Sequence, residues 1–120
     1  MTGVQTCALP ILVVFDLFSW DKSGVKYNYA YFPVCVKKDS PVKRDFIADK
    51  LMSDYNVQIR KYFYPLLSDL NCYRHEHDSM DTPVAKDISN RVMTLPLFVD
   101  MTHEQVDYVC SAIEKICAKY

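Results

Sequence analysis

The chain has 120 residues, 50% of them hydrophobic and 24% charged, which is the size of one small domain and a composition able to build a core. Its two glycines, Gly3 and Gly24, stand far apart with no G-x-G or G-K pair, so these residues contain neither a P-loop nor a dinucleotide-binding glycine loop. Lys+Arg is 14 and Asp+Glu is 15, a formal charge of −1, which speaks against a general electrostatic nucleic-acid binder.

The apolar segment 7–18 is interrupted by Asp16, is too short to span a membrane and lacks the basic start of a signal peptide. The first eleven residues, Met1-Thr2-Gly3-Val4-Gln5-Thr6-Cys7-Ala8-Leu9-Pro10-Ile11, resemble a translated sequencing-adapter peptide. On that reading 1–11 is a non-native scar and 12–120 is one domain, joined at a cut to a longer protein. The five cysteines, Cys7, Cys35, Cys72, Cys110 and Cys117, are odd in number and form no C-x-x-C, which fits reduced thiols in a cytosolic protein better than a secreted disulfide framework. Cys110 and Cys117, seven apart on a predicted helix, share a face and are expected to pack as small hydrophobes.

Aromatic and β-branched residues predict a strand over 26–36, with Pro33 marking an edge or a bulge. Its Tyr27–Pro33 block reads as core packing, with Asn28 as the polar contact. Ser40 and Pro41 read as an N-cap and first helical residue, and Phe46, Ile47, Leu51 and Met52 continue a helix over 42–55. Asn56 suits the left-handed position at its end. Residues 57–66 read as extended, and 68–81 as polar loop.

Thr82 or Asp81 caps a short helix with Pro83 in its first turn and Val84, Ile88 and Val92 along one side. Residues 92–98 read as a third strand. Thr102-His103-Glu104-Gln105 is a capping box, followed by a stripe of Val106, Val109, Cys110, Ile113, Ile116 and Cys117. Alternating strands and helices without a repeat predict one α+β domain, a small mixed sheet with helices on one face.

Three blocks carry a resemblance. They are Tyr27-Asn28-Tyr29-Ala30-Tyr31-Phe32-Pro33, then Arg60-Lys61-Tyr62-Phe63-Tyr64-Pro65-Leu66, then Leu95-Pro96-Leu97-Phe98 running into Thr102-His103-Glu104-Gln105-Val106. In this order they resemble the C-terminal small domain of the DegT/DnrJ/EryC1/StrS family, fold-type I pyridoxal-phosphate-dependent aminotransferases that act on nucleotide-linked sugars. The second block is most similar to the branch that aminates dTDP-4-keto-6-deoxyhexoses.

The resemblance implies pyridoxal 5'-phosphate as cofactor, glutamate as amino donor, a nucleotide-sugar substrate and a homodimer, beside the cytoplasmic setting and the lack of nucleic-acid and membrane partners expected from the cysteines, the charge and the apolar segment. It also implies that the Schiff-base lysine and the other cofactor contacts belong to a large domain upstream of the matched region. The chain alone is then expected to lack catalytic and cofactor-binding residues and to be inactive. By the same resemblance, residues 60–65 border the substrate cleft.

Arg60 offers a planar donor fork suited to a pyrophosphate, Lys61 a point charge, and Tyr62 and Tyr64 apolar faces with a hydroxyl. These four are the candidate substrate-binding residues. In a regular strand, Arg60, Tyr62 and Tyr64 face one side and Lys61 and Phe63 the other. The other reading of the segment is a solvated Arg-Lys pair followed by core aromatics.

Cys72, His75, Glu76 and His77 have a C-x-x-H-x-H spacing, yet their surroundings read as an exposed loop rather than a metal site. Asp78 and Asp81 receive no acid–base role, and the Ser, His and Asp residues give no basis for a triad. The competing function is a non-catalytic α+β ligand-binding or interaction module.

Overall fold

The computed structural model describes residues 11, 13–19, 23–75 and 82–120. The expectations for residues 1–10 and for Glu76, His77, Asp78 and Asp81 lie outside these residues. In chain order the elements are strand β1 (Phe15–Leu17), strand β2 (Phe32–Val36), helix α1 (Arg44–Tyr55), strand β3 (Arg60–Lys61), a 3₁₀ turn at Leu67–Asp69, helix α2 (Pro83–Arg91), strand β4 (Val92–Leu95) and helix α3 (His103–Cys117).

The α+β class is as expected, but the four-stranded sheet is antiparallel throughout, in the order β1-β2-β4-β3, and not mixed. The reason lies in the crossover. β2 and β3 run the same way and are joined through α1, yet β4 is inserted between them, pairing Val34 with Met93 on one side and Arg60 with Thr94 on the other. Same-direction strands are therefore never neighbours.

Pleating sends Phe32, Val34 and Val36 of β2, with Met93 and Leu95 of β4, to one face. There they join Ile47 and Leu51 of α1 and Val106, Val109, Ile113 and Ile116 of α3 in a single core. Each fully buried aliphatic side chain contributes about 1.5–3 kcal/mol. Ile11 is buried in the same core. The helices do not all share that face: Cys35, directed the other way, meets the Arg91 guanidinium of α2 at 3.2 Å.

Local signals account for both long helices. Thr102 and Gln105 form the reciprocal capping box, and the expected stripe of α3 is buried apart from the half-buried Cys117. Asn56 takes the left-handed position (φ 53°), and Val57 N–H closes the end of α1 on the Leu51 carbonyl at 2.9 Å. The start of α1 differs from expectation. Ser40 does not cap it; its hydroxyl accepts from Val42 N–H at 3.2 Å and Lys43 occupies the cap position. Val42 is buried in the core, which holds the chain extended until Arg44.

The strands are shorter than predicted. β4 stops before Pro96, which has no N–H for the ladder. β2 begins only at Phe32, because Asn28 Oδ1 accepts from Ala30 N–H at 3.2 Å and Tyr29 turns left-handed at φ 52°. Tyr29 and Tyr31 are consequently exposed, which corrects the expectation of core packing there, and Asn28 contacts its own backbone. Cys35, Cys72, Cys110 and Cys117 carry reduced thiols. Among the described residues no helix is long and apolar enough to cross a membrane.

Candidate functional site

On the sheet face away from α1 and α3 lies an open groove of about 1030 Å³. Pro33 and Val92 form part of its floor, Ala85 and Ile88 of α2 one wall, and Tyr31, Tyr62 and Phe63 another. The described lining is apolar and aromatic with a few hydroxyls and contains no charged side chain.

Two walls follow from local sequence. The predicted stripe of α2 exists, but Val84 and Ile88 are exposed, whereas Ser89 is the buried residue of this helix. Ser89 tolerates burial because its hydroxyl donates back to the Lys86 carbonyl at 3.0 Å. The second wall is the turn after β3. Regular pairing ends at Lys61, and Phe63 takes φ 48°. The predicted alternation fails at that point, so Tyr62 and Phe63 both line the groove, their ring centroids 4.3 Å apart. Tyr62 also meets Tyr31, with centroids 5.7 Å apart.

The four candidate residues therefore separate. Tyr62 lines the groove. Arg60 is exposed at the head of the segment, its carbonyl accepting from the Thr94 hydroxyl at 3.4 Å. Lys61 pairs with Asp45 at 3.0 Å, and its ammonium lies 5.1 Å from the Tyr64 ring centroid. Tyr64 has the Arg44 guanidinium over the same ring at 4.5 Å. Lys61 and Tyr64 thus belong to a cluster at the start of α1, outside the described groove lining.

Phe63, Pro33 and Ile88 were missed as candidates. Phe63 was set on the wrong side by the alternation rule, while the apolar stripe of α2 was a signal for Ile88. Nothing in the sequence marked Arg44.

Partial burial tends to raise the Asp45 carboxyl, but hydrogen bonds from Lys61 and Arg44 outweigh it and hold it below the ordinary value. At the edge of α2, the Arg91 hydrogen bond, at 2.6 Å, lowers the Asp87 carboxyl to about 2. Burial pushes the Cys35 thiol up, against a smaller opposing pull from Arg91. Cys72 and His75 are exposed, and no cluster of three or more metal-ligating side chains occurs among the described residues.

A dTDP-4-amino-4,6-dideoxy-D-glucose transaminase of Shigella dysenteriae is 33% identical over 95 residues, which are 78% of this chain and 26% of that protein. The transaminase of the same name from Escherichia coli is 37% identical over 81 residues, 66% of this chain and 22% of that protein. The chain thus spans about a quarter of the length of these curated relatives.

Among solved structures, DesI in the presence of its TDP-sugar product matches 98% of this chain and 29% of its own, with a TM-score of 0.82 at 18% identity. The aminotransferase TlmJ from Streptoalloteichus hindustanus matches 98% of this chain and 31% of its own, with a TM-score of 0.77 at 19% identity. At such identities the likeness is one of fold. The model of the DegT/DnrJ/EryC1/StrS aminotransferase family matches residues 9–114, and the chain belongs to that family.

Proposed function

We propose that this chain is the C-terminal small-domain part of a pyridoxal-phosphate-dependent sugar aminotransferase that transfers an amino group from glutamate to a dTDP-linked 4-keto-6-deoxyhexose. The observation that carries the reading is the sequence relationship to two transaminases of one name, at 33% and 37% identity. The groove supports it physically. Aromatic faces interspersed with hydroxyls suit a base or sugar ring, and a groove of this size can take a nucleotide sugar. In this reading Tyr62 borders the substrate, Arg60 reaches its pyrophosphate, and Lys61 and Tyr64 support the segment.

The described residues do not by themselves fit pyridoxal phosphate, which needs an amine for its aldehyde and a carboxylate for its ring nitrogen. The described groove lining has neither, and Lys38, Lys50, Lys61 and Lys86 are each paired with an aspartate. In the proposed enzyme the cofactor is held by the rest of a longer protein, which works as a cytoplasmic homodimer.

The test is amino transfer from glutamate to a dTDP-4-keto-6-deoxyhexose by the full-length, cofactor-loaded protein. Tyr62→Ala is expected to raise the KM for the sugar nucleotide about tenfold and to leave the glutamate half-reaction intact. A loaded protein that forms no amino sugar overturns the proposal, and nucleotide-sugar binding without transfer favours a binding module.

A further inference from the structure

Arg44 opens α1, yet its side chain is only 1% exposed, whereas that of its partner Asp45 is 54% exposed. A guanidinium so deeply enclosed persists only if its donors are matched. They are matched across three elements. Nη1 donates to the Ser89 carbonyl near the end of α2, and to the Val92 carbonyl at the start of β4 at 3.3 Å. Nε donates to Asp45 Oδ1 at 3.0 Å, and Nη2 forms an ion pair with the same oxygen at 2.9 Å. Its face covers the Tyr64 ring at 4.5 Å from the centroid.

Asp45 extends the cluster, because the same Oδ1 receives Lys61 Nζ at 3.0 Å. Lys61 and Tyr64 are thus gripped on either side of Tyr62 and Phe63. That turn needs an external brace. β3 is two residues long, and Phe63 occupies a left-handed conformation that a bulky residue adopts only when its surroundings enforce it.

We propose that Arg44 is a positioning residue for segment 61–65. Anchored where α2 meets β4, it braces Tyr64 directly and Lys61 through Asp45, and so keeps Tyr62 and Phe63 turned into the groove. Its part in substrate binding rests on the function proposed above; its part in geometry does not.

The experiment uses full-length protein labelled with fluorotyrosine, with the Tyr62 resonance assigned by Tyr62→Phe. Arg44→Met is expected to move the Tyr62 signal and leave that of Tyr108, on α3, in place. Arg44→Lys, which keeps the charge and loses the fork, is expected to behave like Arg44→Met. In the kinetic arm, Arg44→Met raises the sugar-nucleotide KM about fivefold while the glutamate half-reaction stays within about twofold of the parent.

If Arg44→Met does not fold, Asp45→Asn and Tyr64→Leu, at half-exposed positions, carry the same measurement and are expected to move Tyr62. A folded variant with an unmoved Tyr62 signal, or full rescue by lysine, overturns the proposal. If the parent protein aminates no sugar, the proposed function fails, and the Tyr62 signal alone decides whether Arg44 positions the turn.

Discussion

The two faces of the sheet are finished differently. Under α1 and α3, Val34, Met93, Ile47, Leu51 and Ile113 are enclosed, and the cavity beside Phe32 and Leu95 amounts to about 20 Å³. Across the sheet, Pro33 and Val92 floor a groove of about 1030 Å³ whose walls include the exposed Tyr31, Phe63 and Ile88. The first face buries apolar area and supplies cohesion. The second exposes large apolar side chains beyond what a lone surface requires, as a surface does when it awaits a ligand or another domain. The enclosed core and the open groove thus lie on opposite sides of a single layer.

The largest test of that division is a pair of truncations. Ile113→Ala removes a fully enclosed side chain of α3 and is expected to cost about 2–5 kcal/mol. Ile88→Ala, on the groove wall, is expected to cost under about 1 kcal/mol, since its side chain is partly in water already. Urea unfolding of both variants measures the difference, and equal losses would erase the distinction between the faces.

Smaller effects sharpen it. Thr102→Ala deletes the cap of the helix that closes the first face and is expected to cost about 1 kcal/mol, read as a lowered unfolding midpoint. Asp87 pairs with Arg91 one turn on within α2 and with Lys38 outside it, and its carboxyl is lowered in the folded state to about 2. A lowered carboxyl stabilises the fold above its ordinary value near about 4, and that contribution is lost as pH falls toward about 2. Asp87→Asn should therefore unfold earlier than the parent at neutral pH, with the gap closing in acid. A gap independent of pH would mean that the ion pair is not its source.

What was legible in the sequence was local. The capping box of α3, the left-handed Asn56 and the 3.6-residue stripes depend on neighbours within one or two turns. Sheet direction depends on which strand is inserted between which, and no short-range pattern records that. Residues 26–31 misled for a different reason: aromatic residues favour strands, but they also line open surface grooves, and here Tyr27 and Tyr31 do the second. Tyr62 was named through the resemblance of its block and lines the groove, whereas Phe63 was displaced by an alternation that ends two residues earlier. Arg44 acts through carbonyls 45 and 48 residues away, contacts that only the folded chain creates.

Phe63 supplies the smallest stability effect and a sharp separation of the two roles. The residue is 73% exposed and its backbone sits at φ 48°. Glycine at that angle relieves about 1 kcal/mol of strain and returns a similar amount through the greater freedom of the unfolded chain. Little buried area is lost from so exposed a ring. Phe63→Gly is therefore expected to unfold within about 0.5 kcal/mol of the parent in urea. It removes the ring that packs at a tilt against Tyr62, with centroids 4.3 Å apart, so in the full-length protein the sugar-nucleotide KM should rise about as far as in Tyr62→Ala. A loss of about 2 kcal/mol or more would show that the exposed ring holds the fold together, and the open face could then no longer be regarded as independent of the closed one.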